Sequence, residues 1–190
     1  MNGGGLAYLW FKFSAMGWLV LGRHKAAETI FELILQRWPL DGYALASRAH
    51  ARAQRGQRDA AIDDMQTLLA AQPERSSAWW FNLGYLLEEA GRYREAEPAF
   101  RRALALDAKA DRAWYGLAMV LIRLQRCDEA IVALKKNTEL QPMSPYGWYQ
   151  LARVRVDRQE PELARKIIRH LKGFEPKVAA QLERETGLVA

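Results

Sequence analysis

Apolar side chains recur along this chain at spacings of three and four, the pattern of helices that bury one face. Between Ser77 and Ala110 the residues Trp80, Leu83, Gly84 and Leu87 fall on one helical face. A break follows at Glu89-Ala90-Gly91-Arg92, and Ala96, Phe100, Ala103 and Leu104 resume the pattern beyond it. Two helices joined by a short glycine-containing turn are therefore predicted, with small residues at Gly84 and Ala96 where the helices must approach closely. A single hairpin of this kind cannot bury both of its apolar faces, so it must stack on another.

The same phrase returns along the chain. Trp80, Trp114 and Trp148 lie 34 residues apart, and each opens a similar run: Trp80-x-x-Leu83-Gly84, Trp114-x-x-Leu117-Ala118, Trp148-x-x-Leu151-Ala152. A second series, Ala27, Ala61, Ala96, Ala130 and Ala164, is spaced 34, 35, 34 and 34 residues, and four positions after each alanine stands Phe31, Met65, Phe100, Leu134 or Ile168. Pro39, Pro73, Ala108, Pro142 and Pro176 close the units at matching spacing, where proline ends a helix. Ser144-Pro145 and Glu160-Pro161 read as helix starts.

These registers resemble the tetratricopeptide repeat (TPR) family, whose 34-residue unit carries Trp-x-x-Leu-Gly-x-x-Tyr, then Ala-x-x-x-Phe, then Pro. The resemblance implies an all-α, right-handed superhelical solenoid of about five helix-turn-helix repeats, forming one domain over residues 1–190. The repeats fall at 8–41, 42–75, 77–110, 111–144 and 145–178, with a short capping helix over 179–190. Within the cap, Val178, Ala179 and Leu182 are expected to cover the last repeat, and Gly187 to stop the helix.

Departures from the repeat carry expectations of their own. Arg48-Ala49 replaces Leu-Gly in the second repeat, with the arginine stem packing and its head reaching water. Arg52 replaces a large apolar residue, which makes that first helix the loosest packed. Pro98 falls inside a second helix and is expected to kink it at a cost of roughly 3 kcal/mol. The second repeat is one residue longer near Glu74–Ser76, read as a slack turn.

The first repeat is the least typical. From Gly5 to Leu21 the only charge is Lys12. Met1-Asn2-Gly3-Gly4 supplies no positive leader region, so a signal peptide is a poor match. Counting back by the repeat makes Tyr8–Leu21 a first helix, with Phe11 at the Trp position, Ala15 at the small position, Trp18 at the Tyr position and Gly22 in the turn. Membrane contact through residues 5–21 is the weaker alternative. Leu6, Leu9, Phe13, Met16, Leu19 and Val20 leave this helix little polar surface, and Leu9, Phe13, Met16 and Val20 are assigned to self-association or partner docking.

No catalytic constellation is found. His24, His50 and His170 lie in different repeats without metal-ligand spacing, so no metal and no cofactor is expected. Cys127 reads as a small buried filler, and Asp63-Asp64 and Glu88-Glu89 as solvated charges. Gly3-Gly4-Gly5 lacks a phosphate-loop lysine. The 28 Lys and Arg against 22 Asp and Glu give a net charge of +6, which mildly favours acidic partners. Nucleic-acid binding through Arg48, Arg52 and Arg55, or through the basic fifth repeat, is the disfavoured reading, because acidic residues interleave elsewhere. One cysteine excludes an internal disulfide and fits a reducing cytoplasm. The Ala/Arg-rich composition is of the kind a GC-rich bacterial genome favours.

The resemblance places the first helix of each repeat on a concave groove. Its inward positions here are Tyr43, Ser47, His50 and Gln54, then Phe81, Asn82, Tyr85 and Glu89. Next come Arg112, Tyr115, Met119 and Arg123, then Tyr146, Tyr149, Gln150 and Arg153. Aromatic area with amide and guanidinium donors suits an extended peptide or an inserted helix, and an acidic or carboxylate-bearing one in particular. Some family members hold a C-terminal carboxylate with a Lys/Asn/Asn/Lys/Arg clamp. Asn82 and Arg112 match two of its positions, whereas Ala46, His50 and Gly116 depart from it. The expected function is a non-enzymatic adaptor binding a protein partner. A self-assembling scaffold built through the apolar first repeat, giving a homo-oligomer, and a chaperone for a secreted or membrane client are the alternatives.

Overall fold

The computed structural model describes residues 3–190, with side-chain environments from residue 5; Met1 and Asn2 of the segment weighed as a leader lie outside the described residues. Among these are eleven α-helices and no strand. They divide into two compact units, Met1–Arg92 and Tyr93–Ala190. Unit one holds α1 (Gly3–Val20), α2 (His24–Arg37), α3 (Gly42–Gln54), α4 (Arg58–Ala71) and α5 (Ser77–Glu89). Unit two holds α6 (Tyr93–Leu106), α7 (Asp111–Arg123), α8 (Cys127–Leu140), α9 (Pro145–Asp157), α10 (Pro161–Lys172) and α11 (Pro176–Thr186). In each unit every helix packs on the next in sequence, and in unit two α11 also packs on α9.

The alanine series lies wholly inside the fold. Ala27, Ala61, Ala96, Ala130 and Ala164 are each 0 % exposed, and Phe31, Met65, Phe100, Leu134 and Ile168 are at most 1 % exposed. A fully buried side chain of this size contributes about 1.5–3 kcal/mol, so this one register supplies much of the driving force for stacking. Gly116 shows how tight the fit is in unit two, since a Cβ there would lie 2.5 Å from the Phe100 ring.

The turn inside each hairpin is a Schellman motif, in which two amide N–H groups satisfy the last carbonyls of the first helix. In the third repeat Gly91 N–H donates to Glu88 O at 2.9 Å and Arg92 N–H to Leu87 O at 2.8 Å, and the other four repeats have the matching pair. The motif needs a left-handed residue. Gly22, Gly56 and Gly91 supply it at φ 69°, 76° and 74°, but in the last two repeats Gln125 and Gln159 stand at φ 59° and 60°. The expectation of a glycine in every turn thus fails in unit two: the hydrogen bonds impose the conformation and the side chains tolerate it.

The repeating tryptophans tie each first helix to the turn before it. The indole Nε1–H groups of Trp114 and Trp148 each donate to a carbonyl six residues upstream, Ala108 O and Pro142 O, both at 2.9 Å. Trp80 reaches seven residues back to Pro73 O at 2.6 Å. The extra residue near Glu74–Ser76 is therefore absorbed in a turn that still presents its carbonyl to the indole, and the turn is less slack than expected. Pro145 and Pro161 open α9 and α10 as predicted, and Pro176 opens α11 instead of merely closing the fifth repeat. The capping helix accordingly starts three residues before the expected 179. Pro98 lies inside α6, which continues as one helix from Tyr93 to Leu106.

Three sequence expectations are overturned in unit one. Asp64 is not a solvated charge but is 4 % exposed. Arg48 from α3 grips it with two bonds, Nη2 to Oδ1 at 2.6 Å and Nε to Oδ2 at 3.0 Å. Arg52 is not a loose point in α3: its Nη1 reaches Asp64 Oδ2 at 2.9 Å and its Nε reaches the buried Glu28 of α2 at 2.9 Å. Arg55 also pairs with Glu28. Burial by itself would depress the Arg52 guanidinium, but the bond to Glu28 and the charges of Asp64 and Glu32 hold it above its ordinary range. Three helices are joined by this network, and the arginine heads meet carboxylates, not water.

Two outcomes follow. Removing one member of a buried ion network leaves the others uncompensated, so Asp64→Ala should destabilise the protein by about 3–5 kcal/mol. Urea unfolding followed by circular dichroism would read this, and a triple replacement of Arg48, Arg52 and Asp64 by apolar residues should cost less than Asp64→Ala alone. A non-glycine residue in the left-handed region carries roughly 1–2 kcal/mol of strain. Gln125→Gly and Gln159→Gly should therefore each raise the unfolding free energy by about 0.5–1 kcal/mol after the entropic cost of glycine, read as a higher urea midpoint.

Candidate functional site

The predicted groove residues divide between the two units and are described unit by unit. On α3, Tyr43 is half-buried, with its ring edge-on to Phe31 at 6.1 Å and the Lys12 Nζ of α1 over its face at 4.2 Å. Burial pushes its phenol above the ordinary range, partly offset by a hydrogen bond with Ser47. Tyr43 is thus largely committed to packing. His50 is exposed, with its ring 6.2 Å from that of His24 on α2. On α5, Phe81 and Tyr85 stack at 6.5 Å with an interplanar angle of 23°, while Asn82 is exposed beside them. Successive turns of α5 thus present a stacked aromatic pair and an amide.

In unit two, Arg112, Met119 and Arg123 fall on one face of α7. Eleven residues make about three helical turns, so the backbone positions of the two arginines lie in line about 16 Å apart along the axis. Neither has an ion-pair partner among the described residues, whereas Arg101, Arg126, Arg155 and Arg158 in the same unit all do. Tyr115 and Met119, both half-buried, lie between them. Gly116, at the clamp position where the family has arginine, is buried against Phe100 and has no room for a side chain.

On α9, Tyr146 is 71 % exposed and Gln150 half-exposed. Tyr149 is held by its own fold: its hydroxyl donates to Glu185 of α11 at 2.6 Å, and Arg153 lies over its ring at 5.7 Å. The bond to Glu185 holds the Tyr149 phenol above its ordinary range and draws the Glu185 carboxyl down. A cleft of about 400 Å³ opens beside this pair, lined by Arg153, Val156, Asp157, Glu185 and Thr186.

The second predicted surface is the outer face of α1. Leu9, Phe13, Met16 and Val20 are exposed as expected, at 47, 67, 43 and 86 %. Leu6, Trp10 and Leu21 join them, whereas Leu19 is half-buried and does not. Trp10 was missed because the repeat register has no role for it; its spacing of four after Leu6 and three before Phe13 was the available signal. Ala15 is fully buried, and Tyr8 donates to Asp41 at 3.1 Å across the repeat, so the opposite face of α1 is a packed TPR-like face.

Other candidates for chemistry stay separate. Cys127 opens α8 as a half-buried free thiol, not a buried filler. His24 opens α2, and its Nδ1 is enclosed without a hydrogen-bond partner. Among the described residues no group of His, Cys, Asp and Glu side chains could hold a metal ion, and no helix is long and apolar enough to cross a membrane.

Comparison with known proteins agrees with this architecture. A solved structure of the protein MamA superposes with a TM-score of 0.83 at 18 % identity, covering 96 % of this chain and 95 % of that one. A structure of MamA residues 41 to the end from Desulfovibrio magneticus RS-1 gives 0.79 at 18 % identity, over 93 % and 94 %. YrrB, described as a TPR protein with an unusual peptide-binding site, gives 0.80 at 17 % identity, over 90 % and 88 %. At such identities these likenesses bear on fold alone. No curated protein sequence matches the chain. A tetratricopeptide repeat model matches residues 46–92 and 81–142, together 97 of the 190 residues. The family pattern, the buried alanine register and the stacked hairpins coincide, and the chain belongs to the tetratricopeptide repeat family.

Proposed function

We propose that this protein is a non-catalytic interaction module that binds an acidic, extended peptide segment along the exposed face of α7. The observation that carries the reading is the unpaired Arg112 and Arg123, in line on one helix with Tyr115 and Met119 between them. An arginine with no carboxylate of its own is free to make a charge-assisted, bidentate bond with one from a partner. The two positions, about 16 Å apart along the helix axis, match roughly five residues of extended chain. The fitting ligand therefore carries two carboxylates about five residues apart, with an apolar side chain between them to cover Met119. Tyr146, Gln150 and Arg153 of α9 offer further donors in the same unit, and Phe81, Asn82 and Tyr85 form a comparable surface in unit one.

A carboxylate clamp of the chaperone-tail type is not part of the proposal. Gly116 cannot be replaced by the arginine that such a clamp needs while Phe100 occupies the space. YrrB, with its peptide-binding site, is a precedent for peptide recognition on this fold. A cytoplasmic role fits the lone free thiol of Cys127.

Fluorescence anisotropy with labelled ten-residue peptides tests the reading. Peptides with paired aspartates at a spacing of about five should bind best, and their asparagine analogues should not bind. Arg112→Ala with Arg123→Ala should weaken binding by about tenfold or more, and added salt should weaken binding to the unaltered protein. Equal binding of acidic and amide peptides, or affinity untouched by the double substitution, would refute the assignment to α7.

A further inference from the structure

The outer face of α1 has a finer order than exposed apolarity. Leu6, Phe13 and Val20 are spaced seven residues apart, and Leu9 and Met16 follow the first two by three. That is the a/d spacing by which one helix seats its side chains between those of another. Seven apolar side chains from Leu6 to Leu21, Trp10 among them, are 43–86 % exposed, a continuous apolar patch of the kind that marks an interaction surface.

We infer that this seam is where two copies of the chain meet, α1 against α1, in antiparallel orientation. An isologous contact demands a surface complementary to itself. α1 meets that demand: its one charge, Lys12, is turned away over the Tyr43 ring at 4.2 Å, so apolar side chains face apolar side chains with no like charges opposed. Antiparallel pairing centres the two-fold axis on Phe13 and sets Leu6 opposite the partner copy's Val20. It also keeps the exposed Arg23 and Lys25 of the two copies at opposite ends, where a parallel pair would oppose them. Gly17, exposed beside Met16 with no neighbour within 4 Å, leaves room for close approach.

The other occupants fit less well. Beyond Pro176, the exposed residues of α11 are Lys177, Gln181, Arg184 and Glu185, so head-to-tail stacking would set a polar, charged face on an apolar one. A helix lying on anionic lipid places cations along its length. Between Leu6 and Val20 this one has only Lys12, and that side chain is already engaged.

Sedimentation equilibrium of the full chain, from low to hundred-micromolar concentration, should show the mass rising from 21.7 kDa to twice that value. Phe13→Glu and Val20→Glu, both at exposed positions, should hold the protein at single-chain mass with its helical circular dichroism unchanged and its thermal midpoint that of the unaltered protein at low, unpaired concentration. In a Cys127→Ser background, Leu6→Cys and Val20→Cys proteins should crosslink when mixed and not when each is alone, and Phe13→Cys should crosslink to itself. A single-chain mass throughout would overturn the inference. So would a doubled mass indifferent to Phe13→Glu, crosslinking of Leu6→Cys alone, or Phe13-dependent binding to phosphatidylserine vesicles by a protein that stays monomeric.

Discussion

Everything in this fold depends on how closely its helices approach at a row of alanines. Where Ala27, Ala61, Ala96, Ala130 and Ala164 stand, a neighbouring helix comes near enough for the large residue one turn later to lose all contact with water. A larger side chain at these positions would hold the helices apart and open voids around Phe31, Phe100 and Ile168, because close-packed interiors do not absorb added volume. The helix pairs are thus defined by small residues as much as by apolar ones. Gly116 carries the logic to its limit, giving up its side chain entirely so that the Phe100 ring can fit.

The same constraint explains the exposed surface of α1. Each hairpin is built to be covered by a neighbour, and the hairpin α1/α2 is covered by α3. Its inner residues, such as Ala15 and the half-buried Phe11 and Trp18, obey the repeat, while its outer residues keep the apolarity of a helix with something packed on it. The last helix of the chain is different: α11 buries Ala179 and Leu182 and turns charged side chains outward. The outer face of α11 is therefore adapted to solvent, whereas that of α1 is apolar.

The charges divide by a comparable logic. About half of the arginines of this basic chain are ion-paired within it, either in the enclosed network of Glu28, Arg48, Arg52, Arg55 and Asp64 or in exposed pairs such as Arg126 with Glu97 and Glu129. Arg112 and Arg123 are left over on the face of α7. The net charge of +6 is thus less informative than its distribution.

By itself the sequence determined the repeat length, the helix pairs, the alanine register and the membership of α1 in the first repeat, because periodicity reports burial directly and burial dominates helix packing. The groove candidates were legible only as a list of positions. Whether Tyr43 and Tyr149 are available or already engaged depends on Lys12 and Glu185, neither of which is near them in sequence. Tertiary structure alone decided that Asp64 is buried and Arg52 useful, since a charge reads as solvated until its partner on another helix is located. It also decided that Gln125 and Gln159 adopt the left-handed conformation, which the closing hydrogen bonds of the turn impose whatever residue stands there. For α1, the sequence set the seven-residue spacing of Leu6, Phe13 and Val20. Only the packed helix showed that this spacing faces outward, because α2 occupies the other side.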